Sequence, residues 1–245
     1  MTKVSFKGFR PFNRASLPLY TKLVLEPMAR LIAMPIINWT SIKPYQVTLM
    51  GLGLGFYSAY SFYVGDYLLG ALIFQLAVVL DLVDGYVARI KKSGSVFGIL
   101  LDGYSDQVRL LVNIVALVLN TNDDPLAQFL LMLFLFLHTA EAMIDFELIN
   151  VRKFLTHKTD LKFNALDRLM LSIKRKLELY GLRTIFLYTQ ERVLCVLFMG
   201  PIFGDIKLWT QIGIVLVLFS VHMKMVLDVA LIKNVIINKT NETLR

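Results

Sequence analysis

Residues 67–89 read YLLGALIFQLAVVLDLVDGYVAR, an apolar run that carries Asp81, Asp84 and Arg89 near its end. A helix of about 20 mostly apolar residues crosses about 30 Å of hydrocarbon. An ionised carboxylate inside such a helix costs roughly 2.5–3.5 kcal/mol on insertion scales, so charges within a membrane helix indicate a functional site. This stretch therefore predicts a membrane helix whose last turns carry chemistry.

The composition of the whole chain is that of a membrane protein. Of its 245 residues, 56% are apolar and only 18% are charged, and the mean hydropathy is +0.62. A soluble domain of this composition would expose apolar surface on a large scale. Composition thus excludes a soluble globular domain and a disordered chain, and the lone Cys195 excludes an internal disulfide. The basic N-terminal residues have no apolar core of the kind found in a cleavable signal peptide.

The sequence predicts an all-α integral membrane protein with six transmembrane helices. Lys and Arg concentrate in alternate connectors, with seven up to residue 43, three in 89–92 and ten in 152–192. Under the positive-inside rule, this pattern places both termini, and the helix ends that carry the aspartates, in the cytoplasm. The six spans are expected at about 44–65, 67–89, 96–119, 125–147, 184–203 and 208–232.

Two amphipathic segments are expected to lie on the membrane surface. Apolar residues recur at helical spacing between Leu17 and Ile37, which predicts a surface helix broken by proline; a poorly ordered basic tail is the alternative. A basic amphipathic helix is expected at 163–180, against the inner leaflet or else against a protein partner. The chain then divides into a surface segment (1–43), a six-helix catalytic domain (44–233) that includes the cytoplasmic connector 149–183, and a cytoplasmic tail (234–245).

Four aspartates fall where the second and third predicted spans reach the cytoplasm. Asp81 and Asp84 are three residues apart, and Asp102 and Asp106 are four apart. Residues at these offsets are neighbours on a helix surface, so each pair shares one face. The short turn Lys91–Ser95 makes the two spans antiparallel, and the acidic faces can meet.

Multivalent cations are the expected partners of these aspartates. Four buried carboxylates would cost on the order of 10 kcal/mol before their mutual repulsion. Arg89 and Arg109 can neutralise two of them at most. Oxygen ligands without clustered His or Cys favour Mg²⁺ or Mn²⁺ over zinc, and four carboxylates suit a pair of ions that supports phosphoryl transfer.

The same residues carry a resemblance to a known family. From Asp81 to Asp106 the chain fits D-x2-D-G-x2-A-R-x8-G-x3-D-x3-D, and it resembles the CDP-alcohol phosphotransferases at all eight fixed positions. Pro44 and Thr48 are similar to the family's P-N-x-x-T stretch, with Tyr45 in place of Asn. The resemblance implies an enzyme that transfers a phosphatidyl or phospho-alcohol group from a CDP-linked donor to a hydroxyl acceptor and releases CMP.

The resemblance also implies roles for individual residues. Asp81, Asp84 and Asp102 would bind two divalent ions, and Asp106 would be a further ligand or the catalytic base. The residues implied in binding the CDP-linked donor are Gly85, Ala88, Arg89, Gly98 and Thr48. The candidates for acceptor binding are four basic residues: Arg109, Arg152, Lys153 and Arg192. Arg109 could instead pair with a carboxylate, and the Arg192 side chain could instead extend to the membrane surface.

The donor and the acceptor stay open at this point. CDP-diacylglycerol with a polar alcohol acceptor is favoured, and a CDP-choline or CDP-ethanolamine donor with a lipid acceptor is the alternative. Members that use phosphorylated acceptors often carry a basic residue where this chain has Gln107, which disfavours such an acceptor, although Arg109 and the Arg152–Lys153 pair could compensate. A cation transporter that uses the acidic face of spans 2 and 3 is the alternative of another class. The bilayer is an expected partner, a homodimer is compatible with the resemblance, and nucleic acid is not expected.

Overall fold

The computed structural model describes residues 20–156 and 189–222, and the side chains of 20–144 and 192–222. This part of the chain is helical and contains no strand. The predicted helix at 163–180 and the tail 234–245 lie outside the described residues. The helices are α1 (Glu26–Trp39), α2 (Pro44–Tyr63), α3 (Tyr67–Ile90), α4 (Val96–Asn120), α5 (Pro125–Thr156), α6 (Thr189–Leu194), α7 (Gly200–Phe203) and α8 (Ile206–His222).

Local sequence signals set the ends of these helices. Pro44 occupies the first turn of α2, where a missing N–H costs nothing. The Asp66 side chain accepts a hydrogen bond from the Leu69 N–H and caps α3, and the Ser95 hydroxyl accepts one from the Gly98 N–H and caps α4. Gly65 has a φ of +84°, a backbone conformation that glycine adopts readily and other residues rarely do. It lies in the connector that reverses the chain between α2 and α3.

The α2–α3, α4–α5 and α7–α8 connectors lie together at one end of the helix bundle. The Asn120 side chain donates to the Tyr63 carbonyl (3.0 Å), which joins the end of α4 to the α2–α3 turn. Lys207 pairs with Asp124 at 2.9 Å, which joins the α4–α5 and α7–α8 connectors, and this hydrogen bond lowers the pKa of the Asp124 carboxyl. The end of α2, the end of α4 and the start of α8 therefore lie at the same end of the bundle.

Helices occur at all six segments where spans are expected, but they differ in hydropathy. Among the described residues, two helices are long and apolar enough to cross a membrane by length and composition alone, Tyr67–Ile90 and Pro125–Ile144. Arg192–Phe203 and Ile206–His222 are apolar but shorter. Helix α2, uncharged and 20 residues long, is not among the two, because its tyrosines, glycines and serines lower its hydropathy.

The segment before α2 is helical, as its apolar spacing predicts. A π-helical turn, Thr21–Leu25, leads directly into α1. The expected break at proline is wrong for α1, because Pro35 lies inside this helix, which continues to Trp39. Ala29 and Ala33 are fully buried, whereas an apolar set on the other side is exposed: Leu23, Val24, Met28 and Leu31.

Two apolar cores hold the helices together. The larger core joins α2 and α3 to the later helices through side chains such as Phe62, Phe74 and Phe134. The smaller core packs the segment before α2 against α2 and α3, with Tyr86 fully buried among Leu25, Ala29 and Val83. This second core fixes the end of α3 that carries Asp81 and Asp84.

Candidate active site

Three of the four motif aspartates converge between α3 and α4. Asp81, Asp102 and Asp106 each present a carboxylate oxygen, and these oxygens lie within 4.8 Å of one another. The Oδ1 atom of Asp102 is buried and accepts no hydrogen bond from any described residue. A buried acceptor without a donor is costly unless a ligand completes it. Three half-buried carboxylates around such an atom fit a hard divalent cation.

The fourth aspartate has a partner of its own. Asp84 is 5% exposed, and its carboxylate accepts a hydrogen bond of 2.6 Å from the Thr48 hydroxyl of α2. It is not one of the three carboxylates whose oxygens converge. Thr48, predicted to contact the donor, thus fixes the orientation of this aspartate.

Arg109 lies among the aspartates. Its guanidinium donates to the Ala77 carbonyl (3.2 Å) and to Asp81 (3.1 Å), and it also bonds Asp106. The side chain is buried, so these contacts neutralise part of the acidic charge in a medium of low dielectric. Of the two interpretations of Arg109, the structure supports pairing with the carboxylates.

Glycines of α2 make room for Arg109. A Cβ added at Gly55 would lie 2.7 Å from Cγ of Arg109, and one added at Gly51 would lie 3.5 Å from a guanidinium nitrogen. At Gly53, a Cβ would meet nothing within 4 Å. In the sequence, the run Gly51, Gly53 and Gly55 is typical of close helix packing. In the structure, Gly51 and Gly55 accommodate an arginine of α4. The i, i+4 spacing of these two glycines is the sequence feature that could have indicated this role.

A large cavity, which we call the donor cavity, adjoins the aspartates. Its volume is about 610 Å³, and Asp84 and Asp102 lie at its edge. Lys43 and Tyr45 add polar groups from the start of α2. All five residues that the resemblance implies in donor binding line it: Thr48, Gly85, Ala88, Arg89 and Gly98.

Lys91 is a residue that the sequence analysis missed. Its ammonium group donates to the carbonyl oxygens of Ile36 (3.2 Å), Thr40 (2.9 Å) and Ile42 (3.0 Å). These three carbonyls belong to the end of α1 and the α1–α2 connector, next to Lys43 of the donor cavity. Lys91 thus ties that connector to the end of α3. In the sequence, Lys91 indicates only a positive charge in a loop that is expected to be cytoplasmic.

A smaller cavity of about 100 Å³ meets the acidic cluster at Asp81 and Asp106. Gln75, Gln107 and His138 supply polar lining groups. The Tyr20 hydroxyl also lines it and donates to Oε1 of Gln75 at 2.8 Å. Burial raises the pKa of Tyr20 to about 12, which keeps this hydroxyl protonated.

Arg192, a predicted acceptor-binding residue, lies in a buried ion pair. It is 1% exposed and bonds one carboxylate oxygen of Glu141 on α5, while the other oxygen accepts from Ser220 of α8 at 2.6 Å. Glu141 thus joins α5 to both Arg192 and α8. Arg152 and Lys153 lie in α5, but their side chains are outside the described residues.

Comparison with known proteins identifies the family. The sequence model of the CDP-alcohol phosphatidyltransferase family matches residues 28–236. The fold is similar to that of phosphatidylinositol phosphate synthase (PgsA1) from Mycobacterium tuberculosis with CDP-DAG bound, at 17% identity and a TM-score of 0.52, over 81% of this chain and 92% of that chain. A structure of the same protein with manganese and citrate gives 18% identity and a TM-score of 0.55, over 86% of this chain and 88% of that chain.

No curated protein shows significant sequence similarity to the chain. The family match, however, covers far more than half of the residues and includes α1 to α8 almost completely. It also contains all the aspartates and every residue that lines the donor cavity. The protein therefore belongs to the CDP-alcohol phosphatidyltransferase family, whose members are membrane-embedded transferases of phospholipid biosynthesis.

Proposed function

We propose that this protein transfers the phosphatidyl group of CDP-diacylglycerol to a hydroxyl group of a polar alcohol and releases CMP. The observation that carries the proposal is the convergence of Asp81, Asp102 and Asp106 at the edge of the donor cavity. Family membership supports the reaction type, and the CDP-DAG bound to a protein of similar fold supports the donor.

The donor cavity suits the nucleotide end of such a donor. Lys43 and Arg89 bring positive charge to its lining, where a pyrophosphate needs it. Gly85, Ala88 and Gly98 have small side chains or none, so a ligand can approach the backbone closely. Arg89 donates to the Gly85 carbonyl at 3.0 Å, which holds the guanidinium along the cavity wall.

The four aspartates would hold two divalent ions, Mg²⁺ or Mn²⁺. When bound, such ions offset the negative charge that develops on the departing CMP. Asp106 accepts the proton of the acceptor hydroxyl, since it lies at the edge of the cluster next to the smaller cavity. Arg109 holds Asp81 and Asp106 in place between α3 and α4.

The reaction is tested with the purified protein in detergent or nanodiscs. With CDP-diacylglycerol, a mixture of alcohol acceptors and Mg²⁺ or Mn²⁺, we expect CMP release that stops when EDTA removes the metal. CMP release only with CDP-choline or CDP-ethanolamine and diacylglycerol would overturn the donor assignment. Metal flux into liposomes without CMP release would favour a cation transporter.

The six-span topology is also a proposal, with both termini and the active site in the cytoplasm. It is supported by the loop charges and by the α2–α3, α4–α5 and α7–α8 connectors, which lie together at the end of the bundle away from the aspartates. In a Cys195→Ser background, a cysteine placed at Asn122 should react with an impermeant maleimide from outside the cell, and one placed at Lys92 should not. The reverse labelling would contradict this orientation.

Lys91→Met is expected to weaken donor binding. The substitution keeps the length of the side chain but removes three hydrogen bonds, one to α1 and two to the connector beside the donor cavity. We expect the KM for CDP-diacylglycerol to rise about tenfold, which corresponds to about 1.4 kcal/mol, with a smaller change in kcat. The control is Lys92→Met at the exposed neighbouring position. Equal KM values for the two variants would show that Lys91 does not position the donor cavity.

A further inference from the structure

The smaller cavity and the donor cavity meet the acidic cluster at different carboxylates. The donor cavity reaches it at Asp84 and Asp102, and the smaller cavity reaches it at Asp81 and Asp106. The residues that line the two cavities do not overlap. The cluster thus has two separate approaches from within the described part of the chain.

The proposed chemistry needs two such approaches. In a displacement at phosphorus, the attacking oxygen and the leaving oxygen lie roughly in line on either side of the phosphorus. If the CDP group occupies the donor cavity, the attacking hydroxyl must come from elsewhere. The smaller cavity is lined by Asp106, the base of the proposed reaction, and so offers the hydroxyl a route.

The polar groups of the smaller cavity are suited to an acceptor without phosphate. Gln75 and Gln107 provide amides, and Tyr20 holds the amide oxygen of Gln75, so the amide nitrogen is the donor that this side chain retains. Among the described residues that line this cavity, Arg109 is the only arginine or lysine.

Arg109, which lines this cavity, and Arg192, which lies next to it, are already bound to carboxylates. Arg109 bonds Asp81 and Asp106, and Arg192 bonds Glu141, next to the cavity residues Val193 and Leu194. Moving either guanidinium to an acceptor phosphate would leave a buried carboxylate without its partner, which is strongly unfavourable. Both arginines therefore serve the cluster and the helix packing.

We infer that the smaller cavity is the acceptor site and that it takes a small alcohol without a phosphate group, with Gln75 and Gln107 as its specificity-determining residues. The inference rests on the proposed function. A volume of about 100 Å³ holds several water molecules, which is enough for the hydroxyl end of a small polar alcohol.

The first test pairs each alcohol with its phosphorylated form. The purified wild-type protein is given CDP-diacylglycerol, metal and one of six probes: glycerol, myo-inositol, L-serine, and the monophosphate of each. We expect the best substrate to be an unphosphorylated probe, with kcat/KM at least about tenfold above that of its phosphate. A preference for a phosphorylated probe would overturn the inference while supporting the transferase reaction. CMP release with none of the six would overturn both.

The second test separates the two cavities. Gln107→Ala and Gln75→Leu should each raise the KM for the best acceptor about tenfold and leave the KM for CDP-diacylglycerol within about twofold of wild type. Lys91→Met should do the opposite. Gln128→Ala, at the other end of the bundle, is the matched control for loss of a glutamine amide. Unchanged acceptor KM in both glutamine variants, or equal increases in both KM values, would overturn the assignment of this cavity.

Discussion

Asp106→Asn is expected to lower the rate of CMP release about 10³-fold while the protein stays folded. Asparagine keeps the shape of the side chain but cannot accept the proton of the acceptor hydroxyl, and it is a poor ligand for a hard cation. General-base catalysis and metal binding each contribute factors of this size or larger. The measurement is kcat with saturating CDP-diacylglycerol and acceptor, together with the midpoint of thermal unfolding.

The control for this substitution is Asp123→Asn. Asp123 is exposed in the connector at the other end of the bundle, so the variant loses one negative charge far from the cluster. It should retain wild-type turnover. If Asp106→Asn also kept near-normal turnover, Asp106 would be neither the base nor an essential ligand.

The second large effect is expected from the smallest substitution, Gly55→Ala. The added methyl group would lie 2.7 Å from Cγ of Arg109, which is closer than real contacts allow. Arg109 must then shift, and Asp81 and Asp106 lose the cation that holds them. Overpacking of this kind costs about 1–3 kcal/mol of stability. Because misplacement by about 1 Å can cost about 10²-fold in rate, we expect a fall of this size in kcat.

Gly53→Ala is the matched control on the same helix. A Cβ there meets nothing within 4 Å, and alanine is a better helix former than glycine by about 1 kcal/mol. Its activity should equal that of the wild type. Equal losses in the two variants would mean that α2 tolerates no alanine for reasons unrelated to Arg109, and wild-type activity in Gly55→Ala would show that the position of Arg109 is not critical.

The convergence of the acidic side chains could be predicted from local sequence. The offsets within each aspartate pair place both members on one helix face, and the short turn after α3 brings the two faces together. The structure shows this for Asp81, Asp102 and Asp106. Asp84 lies on the same helix as Asp81 but is not one of the convergent carboxylates, and it accepts a hydrogen bond from Thr48, 36 residues away on α2. That contact depends on how α2 packs on α3, which no local pattern encodes.

The basic residues were harder to predict than the acidic ones, for the same reason. A lysine or arginine has a long side chain, and its partner can lie on any helix within reach. Arg192 and Glu141 are 51 residues apart, and Lys91 and the carbonyls that it binds are 49 to 55 apart. For Arg109 the sequence allows two roles, acceptor binding or pairing with a carboxylate. The position of its side chain depends on the space that Gly51 and Gly55 leave on α2.

The central claim is that the carboxylates between α3 and α4 bind divalent metal next to the donor cavity. Its most direct test is an anomalous difference map from crystals of the protein grown with Mn²⁺ and CDP-diacylglycerol. We expect manganese peaks in contact with Asp81, Asp102 and Asp106, and the pyrophosphate beside them in the donor cavity. A map with CDP-diacylglycerol bound but no metal at these aspartates, or with the nucleotide bound elsewhere on the protein, would contradict the account.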